Sequence, residues 1–136
     1  MRVVMDTNVL LISISRKSQY RPIFDAFLEG KFELAISNEI LSEYVEILER
    51  KANSVVASNI AEVLLNRANV FKTEIFFNWR LIKDDDDDNK FVDCAIAANA
   101  KYIISNDKHF KALNEVEFPQ MEVIGIGEFL KTILEE

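Results

Sequence analysis

Short apolar runs alternate with amphipathic stretches along the chain. The runs at residues 2–5, 32–36, 102–105 and 121–126 are rich in Val, Ile, Leu and Phe and predict buried strands. Stretches with an apolar residue every three or four positions predict helices over residues 22–30, 39–51, 54–69, 90–100, 106–113 and 127–136. Strands that alternate with helices and read as continuous apolar runs indicate an α/β fold, a three-layer α/β/α sandwich with a central parallel sheet.

Residues that commonly begin or end helices lie near the ends of these predicted elements. Pro22 suits a first helical turn and Gly30 a helix end, and Ser37 or Asn38 can cap the helix that follows. Residues 70–83 have no clear period, so we expect an irregular segment or a short strand. The aspartate run at 84–88 is expected to be a solvated loop.

Composition bounds the class of protein. The chain has 136 residues, 49% of them hydrophobic, with three Gly and two Pro, which predicts one domain spanning residues 1–136 without a flexible linker. Cys94 is the single cysteine, so we expect a reducing, cytoplasmic location. Apolar runs fall short of the roughly 18 residues of a membrane span, and Asp6 and Asn8 interrupt the opening run too early for a secretory signal.

The net charge of −7 argues against a protein that passively coats nucleic acid, because phosphate contacts need clustered Lys and Arg. It leaves open an enzyme that acts on nucleic acid through a bound cation. The candidate phosphate contacts near the acidic residues are Arg16, Lys17, Arg21, Lys90, Lys108 and Lys111.

Two aspartates directly follow predicted strands. Asp6 ends the run "RVVM", and Asp107 follows "YIISN". In parallel sheets, sites form at the carboxyl ends of strands, near the reversal of strand order. Both residues also have a purely structural interpretation, since Asp6 can cap a turn and Asp107 can cap a helix.

Two further carboxylates are out of place on their predicted helices. Asp93 is the only charged residue from Phe91 to Ala100, in a helix that is apolar nearly all round, so it needs a partner: a functional ligand or a backbone hydrogen bond. Glu43 is stacked between Ile40 and Ile47 at the edge of an apolar face. A solvated glutamate is the plain alternative there.

Other chemistries find less support. The aspartate run lacks the glycine and the later glutamate of a calcium loop, and Asp88 can be explained as a helix cap. His109 reads as a surface histidine that could touch substrate, and Cys94 sits in an apolar helix where a thiol is inert.

Three segments, "MDTNVLL", "LSEYVEIL" and "DDNKFVDCAIAANAKYIISNDKHF", together resemble the PIN-domain family, and within it the VapC-like toxins of toxin–antitoxin pairs. The resemblance covers almost the whole chain. It implies a parallel sheet between helices, with an acidic cluster at the carboxyl ends of the strands. It also implies Mg²⁺ or Mn²⁺ as cofactor, RNA as substrate, a small antitoxin as partner and a homodimer.

Residue by residue, the resemblance implies that Asp6, Glu43, Asp93 and Asp107 are catalytic. Asp6, Asp93 and Asp107 would hold metal, and Glu43 would hold a metal-bound water or a second ion. Asn8 and Ser105 match polar positions that orient the cluster, and Asp88 matches an auxiliary aspartate. The family's arginine and proline near the acidic run are missing from "KDDDDDNKF", which can alter the loop that faces the substrate.

Three other functions remain open. The segment "DTNVL" is similar to the signature of haloacid-dehalogenase phosphatases, but Asn8 stands where that family needs its second aspartate. A PIN-like binding protein without catalysis is a second alternative. A solitary nuclease of RNA processing is the third, and it would have the same motifs.

Overall fold

In the computed structural model, residues 1–83 and 86–135 are described. The strands are β1 (Arg2–Met5), β2 (Glu33–Ile36), β3 (Val70–Lys72), β4 (Tyr102–Ile104) and β5 (Glu122–Ile124). The helices are α1 (Thr7–Ile14), α2 (Arg21–Leu28), α3 (Asn38–Lys51), α4 (Ser54–Asn66), α5 (Asn89–Ala97), α6 (Lys108–Lys111) and α7 (Ile126–Leu134). Two single 3-10 turns, Asp86–Asp88 and Ala112–Glu115, precede α5 and follow α6.

The five strands form one parallel sheet in the order β3-β2-β1-β4-β5. In β1, Val3 lies between Leu34 of β2 and Tyr102 of β4. From β1 the chain adds β2 and then β3 on one side of β1. It then returns to the other side of β1, where it adds β4 and β5. The order therefore reverses between β1 and β4, where a crevice opens beyond the carboxyl ends of the strands. The predicted α/β sandwich with a parallel sheet is confirmed.

Helix α1 is an element that the sequence analysis did not predict. Its run "NVLLISI" is apolar on nearly every side and reads as a continuation of the strand before it. The side chain of Asp6 caps it, because Oδ1 accepts the backbone N–H of Val9 at 2.8 Å. The strand ends and the helix begins at this one residue, which turns the chain at the carboxyl edge of the sheet.

Other predicted boundaries shift by a few residues. Helix α4 ends at Asn66 rather than at residue 69, and Val70–Lys72 then joins the edge of the sheet as β3. Residues 73–82 have no regular structure, as the missing period indicated. Of the aspartate run, positions 84 and 85 lie outside the described residues, and the rest forms the 3-10 turn that enters α5.

The sheet and helix α3 are joined by a buried hydrogen bond. The hydroxyl of Tyr44, which is fully buried, donates to the carbonyl oxygen of Met5 at 2.5 Å. This contact satisfies the last carbonyl of β1 at the point where the chain leaves the sheet. It also fixes α3 beside that strand end, so the neighbouring Glu43 lies close to Asp6.

Among the described residues, none of the helices has the length and apolar character that crossing a bilayer demands.

Candidate functional site

Asp6 occupies the crevice between β1 and β4. Its backbone N–H donates to the carbonyl of Ile104 at 3.2 Å, and its Oδ2 accepts a hydrogen bond from the hydroxyl of Ser105. The side chain is only 8% exposed. Burial raises the pKa of Asp6, hydrogen bonds from Ser105 and Val9 partly oppose this rise, and the charges of Asp107 and Glu43 add to it. Asp6 therefore caps helix α1, and its negative charge is at the same time destabilised by burial and by the neighbouring carboxylates.

Asp107 stands at the end of the neighbouring strand, where it caps the short helix α6. Its Oδ1 accepts the backbone N–H of His109 at 2.9 Å. Its own N–H donates to the Ser105 hydroxyl oxygen at 3.0 Å, and that same hydroxyl donates to Asp6. Ser105 therefore connects the two aspartates through its hydroxyl.

Glu43 reaches the same place from helix α3. Its Oε2 accepts a hydrogen bond from the hydroxyl of Thr7, and its Oε1 lies 2.8 Å from Nζ of Lys90. The Lys90 side chain is only 8% exposed and also contacts Oδ1 of Asp87 at 3.1 Å. Burial alone would lower the pKa of Lys90, but the hydrogen bonds to Glu43 and Asp87 outweigh it and raise that pKa. Lys90 is an internal counterion.

Asp88 also lies in this cleft. A cavity of about 290 Å³ is lined by five carboxylates, those of Asp6, Glu43, Asp87, Asp88 and Asp107. Asp88 occupies the N-cap position of helix α5, as the sequence indicated, but its side chain makes no capping hydrogen bond. One signal in the sequence pointed to it: Asp88 is the last aspartate of the run, at the start of the helix.

Asp93 does not line this cleft. Its Oδ1 accepts the backbone N–H of Trp79 at 3.0 Å, and its side chain lines a separate recess together with Glu39 and Asp86. Burial raises the pKa of Asp93, the Trp79 hydrogen bond opposes the rise, and the charges of Glu39 and Asp86 add to it. Asp88 and Asp93 are five positions apart, a rotation of about 140° around a helix, so they face different sides of α5.

The basic residues divide into engaged and accessible ones. Two of the predicted phosphate contacts are engaged: Lys90 by its ion pairs, and Arg21 by Asp25 and the carbonyl of Ile14. Arg50 and Lys51, which were not among the expected phosphate contacts, line the cleft. Arg50 pairs with Glu46 at 3.1 Å, but both side chains are exposed to solvent. Arg50 is seven positions after Glu43, two turns along the same face of α3, and that spacing was the available signal.

The donor set fits a divalent cation. One ligand atom each from Asp88, Asp107 and His109 lie within 4.8 Å of one another. Opposite ligands of a magnesium ion stand about 4.2 Å apart, and oxygen donors are the ones that Mg²⁺ and Mn²⁺ prefer. The like charges around Asp6 would also be relieved by a cation. His109, expected on the surface, is half-buried and belongs to this group.

An acidic cleft at the switch point of a parallel sheet defines a class of α/β proteins that can bind a divalent cation there. A sequence profile of the PIN domain matches residues 2–109. The chain belongs to the PIN-domain family.

Solved structures show how widely the fold is shared. VapBC2 from Rickettsia felis bound to a promoter DNA fragment is 18% identical with a TM-score of 0.64, and the match covers 92% of this chain and 98% of that one. DNA-bound VapBC from Salmonella typhimurium is 16% identical with a TM-score of 0.63, covering 93% and 98%. VapBC-1 from nontypeable Haemophilus influenzae is 17% identical with a TM-score of 0.62, covering 93% and 99%. Among curated protein sequences none is similar enough to match.

The counterion role of Lys90 can be tested by Lys90→Met. We expect the free energy of unfolding to fall by about 2 kcal/mol, because the variant removes charged hydrogen bonds from a half-buried Glu43. Urea denaturation would measure it. The matched control is Lys31→Met, whose ion pair with Glu29 is exposed and should change stability by less than about 0.5 kcal/mol. Equal effects of both substitutions would contradict the role.

The charge of Asp93 should cost stability at neutral pH. Because its pKa is raised in the fold, its favourable contribution is fully present below pH ~4 and is lost as the pH rises through the folded-state pKa. Asp93→Asn keeps an acceptor for the Trp79 N–H, so we expect the variant to be more stable than wild type at pH ~7, by an amount that shrinks towards pH ~4. Denaturation at both pH values measures it, with Glu62→Gln on exposed α4 as control. A variant less stable than wild type at neutral pH would refute this.

Proposed function

We propose that this protein is a metal-dependent endoribonuclease of the cytoplasm and the toxin of a toxin–antitoxin pair. PIN domains are generally nucleases, and the chain belongs to that family. The observation that carries the proposal is the convergence of Asp6, Glu43, Asp88 and Asp107 on one cleft at the switch point of the sheet. RNA as the substrate is supported by the resemblance of the chain to VapC-like toxins.

The proposed ligands of Mg²⁺ or Mn²⁺ are Asp6, Asp88 and Asp107, with His109 beside them. Asp88 thereby takes the role that the sequence analysis gave to Asp93. A bound divalent cation supplies Lewis-acid stabilisation of the phosphate and a more acidic water. Ser105 holds Asp6 and Asp107 in one arrangement through its hydroxyl.

Glu43 is proposed to orient the attacking water and to accept its proton. Hydrogen bonds from Thr7 and Lys90 hold the carboxylate in one direction, and each oxygen keeps a further lone pair for a water. Arg50 and Lys51 line the same cleft and provide positive charge for the phosphate on either side of the scissile bond. This local charge offsets the acidic character of the whole chain.

The proposal predicts opposite outcomes for two aspartates of one segment. With Mg²⁺ or Mn²⁺ and labelled single-stranded RNA, Asp88→Asn should reduce cleavage by about 100-fold or more, because a cation ligand is lost. Asp93→Asn, on the other side of the helix, should retain cleavage within a few-fold of wild type. EDTA should abolish the activity of every active variant.

The alternatives have their own signatures in this experiment. Loss of activity in Asp93→Asn with full activity in Asp88→Asn would restore the assignment made from the sequence. EDTA-insensitive cutting would refute the metal-dependent mechanism. Absence of both cleavage and Mn²⁺ binding, measured by calorimetry, would favour the PIN-like binding protein.

We further propose that the antitoxin binds an apolar groove that opens beside the cleft. The groove has a volume of about 870 Å³ and runs from Asp6 and Asp107 along helix α1 to the end of α3. Ile12 lies in it and is 40% exposed. The similar solved structures are VapBC complexes of a toxin with an antitoxin, which supports such a partner. A homodimer is expected from the resemblance alone.

The groove predicts a selective loss of antitoxin binding. A small protein co-purified from the host would be identified, purified and tested for inhibition of RNA cleavage. Ile12→Asp should weaken its binding about 100-fold, because a charge would be buried in an apolar contact. Leu65→Asp is the control, since Leu65 is 49% exposed and lies outside the groove. Equal binding to both variants would exclude the groove.

A further inference from the structure

Asn106 lies between Ser105 and Asp107, the two residues at the end of β4 that organise the cleft. The backbone N–H of Ser105 donates to the carbonyl of Ile124 in β5 at 2.9 Å, and its hydroxyl bonds to Asp6. The backbone N–H of Asp107 donates to the same hydroxyl at 3.0 Å. The backbone of Asn106 is therefore held on both sides, directly beside a proposed cation ligand.

The amide of Asn106 has one possible orientation. Its Oδ1 accepts the backbone N–H of Ile126, the first residue of α7, at 3.0 Å. A backbone N–H can only donate, so the amide oxygen must be the atom that faces it. A Cβ at Gly125 would lie 2.8 Å from this oxygen, so the glycine at the N-cap of α7 permits the close approach. The amide NH₂ group therefore points its two donors elsewhere.

Capping of α7 explains the oxygen of Asn106 but not its NH₂ group. An aspartate would accept the Ile126 N–H equally well, since a helix cap needs only an acceptor. In the described parts of the chain, the NH₂ group donates to no acceptor. The residue is exposed and lines the groove of about 870 Å³ beside the cleft. Asn106 thus offers the groove a donor whose direction is fixed in advance.

The groove and the cleft share a border at the proposed cation site. Both are lined by Asp6, Asn8, Lys51 and Asp107. We call the part of the groove at these residues and Asn106 its inner end. The aliphatic side chains that line the rest of the groove are Val9, Leu11, Ile12, Ile14, Leu48 and Val56. Apolar walls with a single directed polar group are typical of sites for flat heterocycles, which bury their faces and bond at their edges.

The four RNA bases differ in what they offer to such a donor. Uracil and guanine carry a carbonyl oxygen at the exocyclic position of the pairing edge, whereas cytosine and adenine carry an amino group there. An NH₂ group donates to the carbonyl oxygen and is repelled by the amino group. A fixed donor in the groove therefore favours the keto bases.

We propose that the inner end of the groove binds a keto base, uracil or guanine, next to the scissile phosphate, and that Nδ2 of Asn106 donates to its carbonyl oxygen. This inference rests on the proposed function, because the base belongs to the RNA whose phosphate lies at the cation site. Asn106 is then a residue that determines specificity. The base and the proposed antitoxin would compete, since they share one groove.

Nucleosides test the inner end of the groove without phosphate, which the carboxylates repel, and without cleavage. The full chain, labelled with ¹⁵N, would be titrated to about 20 mM with uridine or cytidine and with inosine or adenosine, and its amide signals followed by NMR. Each pair presents a carbonyl oxygen or an amino group at one position. We expect the Asn106 NH₂ signals to shift saturably, with uridine and inosine bound about fivefold more tightly than their counterparts. Binding of no nucleoside, or equal binding within both pairs, would overturn the proposal.

The substitution Asn106→Asp exchanges the donor for an acceptor at nearly constant shape. One oxygen still accepts the Ile126 N–H, so α7 keeps its cap and the variant should fold, as circular dichroism would verify. The other oxygen can only accept, so we expect cytidine and adenosine to bind more tightly than uridine and inosine. An Asn106→Asp protein that still prefers uridine would overturn the proposal. If the variant did not fold, the wild-type preference would decide alone.

The matched control is Asn53→Asp. Asn53 caps α4 in the same way, because its Oδ1 accepts the backbone N–H of Val56 at 2.8 Å, and it is exposed but does not line the groove. The control adds the same negative charge and should keep the wild-type order of nucleosides. A reversed order in Asn53→Asp would assign the effect to charge alone and overturn the proposal.

RNA cleavage separates this proposal from the nuclease activity itself. With Mg²⁺ or Mn²⁺ and RNA of mixed sequence, wild type should cut preferentially beside uracil or guanine, and Asn106→Asp beside cytosine or adenine. Selective binding of uridine and inosine without cleavage would support the base site and contradict the nuclease. Cleavage without base preference, together with equal binding of all nucleosides, would support the nuclease and contradict the base site.

Discussion

A carboxylate buried where two central strands end is the constraint on which the site depends. Asp6 closes β1, starts α1 and receives a hydrogen bond from Ser105 at the end of β4, so one side chain joins both halves of the sheet. The reversal of strand order between β1 and β4 creates the space for it. Because Asp107 follows Ser105 by two residues, the same junction brings a second negative charge within range. The fold therefore creates a concentration of negative charge that a cation can relieve.

The protein compensates part of this charge internally. Lys90 extends from helix α5 to Glu43 on α3 and to Asp87 in the 3-10 turn that precedes α5. Its side chain is nearly buried. A lysine used in this way is no longer available to bind RNA, and it keeps α3 and α5 at a fixed distance. The accessible positive charge at the cleft comes instead from Arg50 and Lys51 at the end of α3.

Helix α5 separates two acidic environments of different character. Positions 86, 89, 90 and 93 repeat at the helical interval and line the recess around Asp93, whereas Asp88 and Phe91 line the cleft and Asp87 lines both. A run of aspartates at the start of a helix thus distributes its charges to both sides. Asp93, the isolated aspartate that its apolar surroundings made conspicuous, belongs to the recess, and Asp88, hidden in the run, belongs to the cleft.

The sequence by itself determined the parallel α/β architecture, because buried strands and amphipathic helices leave unmistakable hydrophobic periods. It also determined Asp6 and Asp107 as neighbours, since the carboxyl ends of parallel strands meet at one edge of the sheet. Helix α1 was not predicted, because its apolar run has no polar face that would define a helical period. Which of Asp88 and Asp93 lines the cleft was decided by tertiary structure. Burial is visible in the pattern, but the direction of a buried side chain depends on which elements pack against each face of the helix. Only the packing of α5 between α3 and residues 73–82 gave each aspartate its surroundings.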